Sequence, residues 1–509
     1  MNLRLVSKLL SVVAVLIGAT MIFSLPWAHP TLGVRAHLPD APMVFETRGF
    51  LALLGSLAIC FLVAGILVWF GRNVKGQLYR KEAMAIVGMS WVLATVLGAL
   101  PFYLSGTLSL IDSLFESQSG FSTTGATVIT NLEDFAAVPH CILFWRSSTH
   151  FLGGLGIIVL FVVILGQGSA GKALMRAEMP GPTKEGATSR MQHTAWLFAA
   201  IYCFLNAVLT VILKLLGLSL FDAFCHAFGT MATGGFSTYN GSLHHFDSAI
   251  IDSVVILFMI LAGTNFTLLY LLLMGQPGKL LADVEWRTYL SLIGGVTVLV
   301  VGFGLYHQDF SSLGKAVQYG LFQVISVVTT TGYGTSDFDT WNSFGRGVLF
   351  LLMFVGGCAG STGGGMKVIR HILFLKIIVL EIEQAFHPTV VRPLRLGGRT
   401  VEDQDLRKNI LVYFGLILVI FIFSWMFLVT TEPSTTWGNT IEHKLIDSAS
   451  AIAATLNNIG PGLGTVGPTK NYAHFSAHAK LLFIWLMMLG RLELFSILVL
   501  VIPGFWRSR

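Results

Sequence analysis

A chain of 509 residues with a mean hydropathy of +0.74 and only 11% charged residues is not an ordinary soluble protein, because soluble domains carry about 25% charged residues. The formal net charge of +6 does not indicate a nucleic-acid partner, since the basic residues concentrate in certain loops. The five cysteines are scattered through apolar segments without metal-site or disulfide spacing, so we expect buried apolar side chains.

Long apolar runs predict that the chain crosses a membrane several times. A spanning helix needs about 20 apolar residues, and the first run carries Arg4 and Lys8 ahead of its apolar core. That run could be a signal peptide, but no clear small-x-small cleavage site follows, so we interpret it as a retained helix. The main runs cover residues 9–27, 50–70, 194–218, 290–305 and 411–429.

The charged residues alternate in sign from one group of loops to the next. Basic residues fall mainly within residues 72–81, 172–190, 279–287 and 367–408. The positive-inside rule makes these loops cytoplasmic and the intervening acidic segments outward-facing. The acidic residues are Asp112, Glu116, Glu133, Asp134, Asp222, Asp247, Asp252, Asp309, Asp337, Asp339, Glu432, Glu442 and Asp447.

One unit recurs four times after the first two helices. Each unit contains an apolar helix, a short run, a glycine-bearing polar loop and a second apolar helix. The short runs are residues 108–119, 220–229, 314–326 and 443–454, and the loops are SGFSTTGATV (119–128), GTMATGGFST (229–238), VVTTTGYGTS (327–336) and ATLNNIGPGL (454–463). We align the loops on Gly125, Gly234, Gly332 and Gly460, and the second helices carry Gly154, Gly263, Gly360 and Gly490 at nearly fixed distances.

This pattern predicts an all-α polytopic membrane protein with pseudo-fourfold organisation and ten full spans. Runs of 10–14 apolar residues are too short to cross a bilayer and indicate re-entrant segments. Irregular backbone at membrane depth requires burial by protein or a water-filled cavity, so four such loops predict a central pore or cavity. We expect two N-terminal helices in residues 1–75 and repeats at 76–180, 181–280, 281–385 and 386–509.

The loops are suited to binding a monovalent cation. Glycine permits backbone conformations in which several carbonyls point the same way, and rings of carbonyl oxygens can replace an ion's hydration shell. TTGYG (330–334) differs by one residue from the TVGYG loop of potassium channels, and we expect Tyr333 to pack behind it. A close helix contact of the small-xxx-small type is the alternative for any single loop. Side-chain oxygens are available from Thr123, Thr124, Thr233, Thr329, Thr330, Thr331 and Asn458.

Three further features lie in the second apolar helices of the repeats. The glycines of residues 356–365 predict a break in mid-membrane, because each costs about 1 kcal/mol in a helix. A nucleotide-binding P-loop is excluded, since Gly365 is followed by Met366 and no strand precedes it. Arg491 within the last span marks a functional site by default, with a Glu493 ion pair or an interfacial position as alternatives. Asn265 is a candidate polar partner for Arg491 or a helix–helix hydrogen-bonding residue.

Taken with GGCAGSTGGGMKVIR (356–370) and MLGRLELF (488–495), the four loops resemble the Trk/Ktr/HKT superfamily of potassium transporters, and among them the TrkH-type membrane subunits. The resemblance covers roughly residues 1–505 and implies four M1–P-loop–M2 units around one pore. Glycine at all four loop positions resembles the potassium-preferring pattern, whereas serine in the first loop marks sodium-preferring relatives. Ile459 departs from the pattern, so the fourfold symmetry is approximate.

The resemblance also implies roles for individual residues. The expected selectivity filter comprises Thr123, Thr124, Gly125, Ala232, Thr233, Gly234, Thr330, Thr331, Gly332, Asn458, Ile459 and Gly460, with Thr124, Thr233, Thr331 and Asn458 as potassium ligands. The expected gate is an intramembrane loop below the filter that obstructs the pore and moves on activation. Its residues are Gly357, Gly360, Ser361, Thr362, Gly363 and Gly364, together with Arg491.

The implied partners lie outside this chain. The resemblance predicts a homodimer in the bacterial cytoplasmic (inner) membrane, with the filter facing the periplasm and a ring of cytosolic TrkA-type regulatory subunits. A nucleotide, ATP/ADP or NAD, is expected only on that partner, because this chain has no G-x-G-x-x-G on a βαβ unit. The polar segment 381–409 is a candidate contact for the partner or for anionic lipid.

Two transport mechanisms remain open at this point. The first is gated potassium uptake through a channel-like pore. The second is secondary symport coupled to H⁺ or Na⁺, which broken helices also fit, although such folds usually have inverted repeats and these repeats run in one direction. An enzyme is not expected, because no H-E-x-x-H motif, metal set or Ser–His–Asp arrangement is evident.

Overall fold

The computed structural model describes residues 1–32, 44–72, 79–156, 191–388, 394–396, 399–401, 404–437, 441–492 and 494–506. The helices of the first half are α1 (Leu3–Met21), α2 (Thr47–Phe70), α3 (Arg80–Leu104), α4 (Leu110–Phe121), α5 (His140–Leu155), α6 (Met191–Leu215), α7 (Leu220–Met231), α8 (Ala249–Ala262) and α9 (Phe266–Leu273). They continue as α10 (Pro277–Ala282), α11 (Val284–Tyr306), α12 (Leu313–Val328), α13 (Ser343–Leu352), α14 (Val368–Phe386), α15 (Gln404–Thr431), α16 (Ile441–Leu456), α17 (Ala477–Arg491), α18 (Phe495–Val501) and α19 (Pro503–Trp506).

Six helical segments among the described residues are long and apolar enough to cross a membrane. They are α1 with the 3₁₀ turn that follows it, α2, α11, and most of α3, α6 and α15. Large apolar side chains on these helices point outward, including Phe423, which is 72% exposed, and Val298, which is 71% exposed. An exposed apolar surface of this extent is compatible with lipid and not with water.

The four short runs each form a short helix, namely α4, α7, α12 and α16. A serine caps three of them: Ser109, Ser219 and Ser312 each accept a hydrogen bond from the backbone N–H three residues later. Such caps satisfy N–H groups that the first helical turn leaves without partners. The C-terminal turns of the four helices are buried, so the loops that follow them lie inside the protein.

The second apolar helix of each repeat is interrupted or ends early within the described residues. Helix α5 ends at Gly156, where φ is +80°, and α8 and α9 meet at an angle of 107°. Helices α13 and α14 are separated by residues 353–367, here called the glycine-rich linker, and α17 and α18 by residues 492–494. The predicted break in the third repeat is present, but the sequence did not indicate the breaks between α8 and α9 and between α17 and α18.

The fold also contains a feature that the all-α prediction omits. Strands β1 (Leu394–Leu396) and β2 (Arg399–Val401) pair antiparallel inside the polar segment 381–409. Of the predicted domain boundaries, those after residues 75 and 180 lie outside the described residues. The boundary expected after residue 280 falls within α10, a short helix that connects the second repeat to α11.

Candidate functional site

The four loops that follow the short helices share one backbone path. We call residues 122–128, 232–238, 329–335 and 457–463 loops 1 to 4. In each loop a residue with positive φ is followed two positions later by a glycine with positive φ. The pairs are Thr123 (φ 53°) and Gly125 (φ 84°), Thr233 (φ 54°) and Gly235 (φ 73°), Thr330 (φ 59°) and Gly332 (φ 77°), and Asn458 (φ 56°) and Gly460 (φ 94°).

This backbone correspondence corrects the sequence alignment of loop 2. The residue equivalent to Gly125, Gly332 and Gly460 is Gly235, and the alignment on Gly234 was wrong by one position. Gly234 instead corresponds to Thr124, because the N–H of each donates to the carbonyl five residues earlier, at 2.8 and 2.9 Å. Two consecutive glycines are equally able to adopt positive φ, so the sequence could not distinguish them.

The four glycines, Gly125, Gly235, Gly332 and Gly460, are here called the ring glycines. A Cβ atom placed on any of them would collide with a backbone carbonyl oxygen of the next loop. The glycine of loop 1 meets a carbonyl of loop 2, that of loop 2 one of loop 3, that of loop 3 one of loop 4, and that of loop 4 one of loop 1. The loops therefore form a closed ring in which only glycine fits at these positions. The distances are 2.1 Å from Gly125 to Gly234 O, 2.0 Å from Gly235 to Thr331 O, 1.9 Å from Gly332 to Ile459 O and 2.5 Å from Gly460 to Thr124 O.

The predicted ligand set does not occupy one level of this ring. Thr124 and Thr331 directly precede ring glycines, whereas Thr233 and Asn458 lie two positions before them. The four predicted ligand residues therefore lie at two different levels relative to the ring glycines. The group that all four loops have in common directly before the ring glycine is a backbone carbonyl. This carbonyl is present whatever the side chain, so Ile459 in loop 4 is compatible with the ring.

Several hydroxyl and amide groups of the loops make hydrogen bonds within the protein. Thr124 Oγ1 lies 2.7 Å from Ser122 Oγ and 2.9 Å from Asn458 Nδ2, and Thr331 Oγ1 lies 2.8 Å from Thr329 Oγ1. These contacts tie the side chains to the loops and to each other. The remaining predicted residues of loop 2 are Ala232, the C-cap of α7, and Thr233, whose hydroxyl donates to Ala232 O at 2.6 Å.

Tyr333 lies behind the ring, as predicted. Its side chain is 1% exposed, and its hydroxyl is 3.2 Å from the carbonyl oxygens of both His226 and Phe236. Asp339, which the sequence places in an outward-facing acidic segment, contacts the turn that follows loop 4, because both carboxylate oxygens lie 3.0 Å from Gly464 N. Burial raises the pKa of the Asp339 carboxyl above its ordinary value, and the hydrogen bond from Gly464 opposes that shift.

The glycine-rich linker packs against the break between α8 and α9. Cys358 N donates to Gly263 O at 2.9 Å, Thr362 N donates to Ala262 O at 3.2 Å, and Phe266 N donates to Gly360 O at 3.0 Å. The two broken helices thus satisfy each other's free backbone groups, which membrane-depth loops require. Asn265 caps α9 through Thr267 N and lies next to Gly360, and this local role is neither of the two that the sequence predicted.

The tip of the linker lies directly beside the loops. Gly364 N donates to Thr330 Oγ1 at 2.7 Å, and a Cβ on Gly364 would lie 2.7 Å from Asn458 Cβ. Ser361 Oγ donates to Cys358 O at 2.6 Å, which folds the linker on itself. The predicted gate residues from Gly357 to Gly364 therefore lie close to one another. They pack against the side of the ring that faces the C-terminal ends of the short helices.

Glu285 on α11 anchors this linker, and the sequence analysis missed it. Its Oε1 accepts hydrogen bonds from Ala359 N at 2.8 Å and from Ile369 N at 3.0 Å, so one carboxylate holds both flanks of the linker tip. The side chain is 8% exposed. An acid at the start of an apolar helix is costly to bury without partners, and that signal was available in the sequence.

Arg491 joins three parts of the site. One guanidinium nitrogen donates to Thr123 Oγ1 at 3.1 Å and to Thr362 O at 2.6 Å, and another donates to Gly153 O at 2.5 Å. It therefore connects loop 1, the glycine-rich linker and α5. The ion pair with Glu493 that was considered as an alternative lies outside the described residues.

Comparison with known proteins identifies the family. The TrkH family, described as cation transport protein, matches residues 52–507. The Trk system potassium uptake protein TrkH of Escherichia coli K12 is 35% identical over 516 residues, with both chains covered completely. This chain belongs to the TrkH family of cation transport proteins.

Other members of the family agree with this assignment. The Trk system potassium uptake protein TrkG of Escherichia coli K12 is 34% identical and covers 92% of this chain and 95% of its own length. The crystal structure of the potassium transporter TrkH from Vibrio parahaemolyticus superposes with a TM-score of 0.84 at 30% identity, and the match covers both chains completely. The helical membrane fold and the order of elements are thus those of the TrkH family.

Proposed function

We propose that this protein takes up potassium through a gated, cation-selective pore whose filter is the ring of loops 1 to 4. The observation that carries the proposal is the closed contact order of the four ring glycines with the carbonyls of the next loop. Potassium is the ion because the relatives of this chain are named potassium uptake proteins.

The ring has the chemistry that a dehydrated potassium ion requires. Backbone carbonyls repeated around an axis can replace the hydration shell, with selectivity that depends on the number and field strength of the dipoles. The neighbouring threonine hydroxyls bond to protein groups, and the ligands we assign to the ion are therefore chiefly carbonyl oxygens. The predicted ligand residues Thr124 and Thr331 then bind the ion through their backbone carbonyl oxygens.

The gate comprises the glycine-rich linker and Arg491. The linker tip is against the loops, and the Arg491 guanidinium bonds to both loop 1 and the linker. A fixed positive charge on the ion path repels cations. Opening then requires that the linker tip leave Thr330 and Arg491 while its flanks remain attached to Glu285.

The proposed setting is the bacterial cytoplasmic membrane, with the ring facing the periplasm. The protein acts as a homodimer on a cytosolic ring of TrkA-type subunits, and a nucleotide binds only there. The polar segment 381–409, which contains the paired strands β1 and β2, is the part of this chain assigned to the regulatory partner. Support for a multicomponent assembly comes from the relatives, which are named as proteins of a Trk system.

Symport coupled to H⁺ or Na⁺ is the second candidate. The 107° bend between α8 and α9 supports it, because discontinuous helices form the binding sites of many secondary transporters. The two candidates differ in one measurable property, since a pore gives unitary currents and a symporter gives a fixed coupling ratio.

Ion flux into proteoliposomes tests the proposed function. We expect uptake of K⁺ and Rb⁺ at similar rates and slower uptake of Na⁺, with discrete current steps when the protein is incorporated into planar bilayers. Equal rates for all three ions would contradict a potassium filter. Uptake that depends strictly on a Na⁺ or H⁺ gradient and shows no unitary steps would favour the symporter.

The anchoring role of Glu285 predicts a further result. Glu285→Ala leaves two buried N–H groups without an acceptor, at a cost of about 1–3 kcal/mol each. We expect the linker to leave the loops more often, so that basal K⁺ flux without the regulatory subunit rises. Glu285→Gln retains an acceptor oxygen and is expected to change the flux less.

Asp283→Asn is the matched control for the Glu285 variants. Asp283 caps α11 through Trp286 N at 2.8 Å and is two residues away in the chain. Its substitution is expected to leave basal flux at the wild-type level. Wild-type basal flux in a folded Glu285→Ala protein would show that the carboxylate does not hold the linker.

A further inference from the structure

A buried ion pair lies behind loops 1 and 2 and belongs to neither the ring nor the gate. Arg146 Nε on α5 is 2.6 Å from Glu116 Oε1 on α4, and their side chains are 2% and 0% exposed. The sequence places Glu116 in an acidic segment on the outward-facing side, and the structure shows that its side chain is buried. Charged residues of this kind are almost never fully buried unless they are paired.

The carboxylate of Glu116 also holds the outer end of loop 1. Its Oε1 accepts a hydrogen bond from Thr127 Oγ1 at 2.8 Å, and its Oε2 accepts one from Val128 N at 2.9 Å. Both residues follow closely after the ring glycine Gly125. The position of this part of loop 1 is therefore tied to α4 through one buried carboxylate.

The guanidinium of Arg146 holds the outer end of loop 2. One of its terminal nitrogens donates to Ser237 O at 3.0 Å, and its central carbon lies 3.4 Å from the centre of the Phe236 ring. These residues follow the ring glycine Gly235 directly. Because the planar guanidinium fixes the directions of its donors, the contacts to Glu116 and Ser237 O are made in a single geometry.

We propose that Glu116 and Arg146 are positioning residues that set the distance between loops 1 and 2 and thereby the cation selectivity of the ring. The inference rests on the proposed function. The pair bridges the two loops close to the contact between Gly125 and Gly234 O. Hydrogen bonds between charged groups in a low-dielectric interior are strong and directional, so this bridge limits how far the two loops separate.

The substitution Arg146→Lys tests the bridge while keeping the charge. A lysine ammonium carries its three donors on one nitrogen and does not reproduce the fork that reaches Glu116 and Ser237 O together. We expect the K⁺/Na⁺ permeability ratio in proteoliposomes to fall about tenfold, as for the loss of one charge-assisted hydrogen bond. Glu116→Asp is the second variant, because it shortens the same bridge from the other side.

Arg48→Lys is the matched control. Arg48 likewise donates to two acceptors, the backbone carbonyls of Ser105 and Ala136, but it is exposed and both acceptors lie outside loops 1 to 4. Its ratio is expected to equal that of the wild type. Because a permeability ratio is internal to each sample, it is independent of protein yield, and gel filtration in detergent reports folding separately.

Each outcome bears on the inference. A lowered ratio in Arg146→Lys or Glu116→Asp, with Arg48→Lys unchanged, supports it. Wild-type ratios in both folded variants overturn it and leave the proposed function standing, whereas a wild-type protein without K⁺/Na⁺ discrimination overturns the proposed function itself. If both variants fail to fold while Arg48→Lys folds, the pair maintains the fold as a whole and the positioning role is also rejected.

Discussion

Replacing Gly332 by serine is expected to lower the K⁺/Na⁺ permeability ratio strongly. Gly332 has a φ of 77°, which costs an L-residue about 1–2 kcal/mol. A Cβ at this position would also lie 1.9 Å from Ile459 O, a backbone atom that cannot rotate away. Loop 4 must therefore move, and the carbonyl ring opens at the junction of loops 3 and 4.

The measurement is the ratio of K⁺ to Na⁺ uptake in proteoliposomes, with Gly334→Ser as control. Gly334 is in the same loop, but a Cβ there would make only an ordinary contact, 3.5 Å from Pro468 Cβ. An unchanged ratio in folded Gly332→Ser protein would count decisively against the filter assignment. A loss of selectivity in both variants would mean that any substitution in loop 3 lowers selectivity. The result for Gly332→Ser would then no longer support a ring formed by the glycines.

The corrected register of loop 2 can be checked in the same assay. Gly235→Ser brings a Cβ to 2.0 Å from Thr331 O, whereas Gly234→Ser meets the His150 side chain at 2.6 Å. A backbone carbonyl yields less readily than a side chain, so Gly235→Ser is expected to reduce selectivity more. The opposite order would restore the original alignment.

Replacing Arg491 by alanine is expected to raise basal K⁺ flux in the absence of any regulatory subunit. The substitution removes hydrogen bonds to Thr123, Thr362 and Gly153 as well as a positive charge. A charge-assisted hydrogen bond contributes about 1.5–3 kcal/mol. We therefore expect the ratio of closed to open protein to fall by about tenfold or more.

Two other variants separate the parts of this effect. Arg491→Lys keeps the charge but does not reach three acceptors together, and an intermediate flux is expected if both charge and bridging matter. Arg287→Ala removes an exposed arginine on α11 and should leave flux unchanged. Basal flux in Arg491→Ala equal to that of the wild type would exclude a role for Arg491 in holding the pore closed.

The sequence alone predicted the parts of the fold that depend on local pattern. Apolar length identified the long helices, and short runs such as the one that became α12 were recognised because they are too short to span a bilayer. The glycines of residues 356–365 predicted the break between α13 and α14, since six glycines in one stretch are incompatible with a helix. The recurrence of loops also led to the family to which the chain belongs.

Other features depended on contacts between distant segments. The break between α8 and α9 is stabilised by hydrogen bonds from the linker, about a hundred positions away in the chain. The local sequence pattern was therefore not used to predict it. Glu116 was named only as one of many acidic residues and Arg146 was not named, because the rule that marks a charge in a membrane helix was applied only to Arg491. The same rule marks both residues as candidates, but it does not tell which loops they support.

What the sequence determined by itself was therefore the set of elements and the chemistry of the loops, because helix length, glycine content and charge are local properties. Which glycine of loop 2 lies on the ring, and which acids and bases support the loops from behind, was decided only by the tertiary structure. Gly234 and Gly235 are chemically identical, and the choice between them is made by Thr331 O of the neighbouring loop, which leaves no space for a side chain beside Gly235.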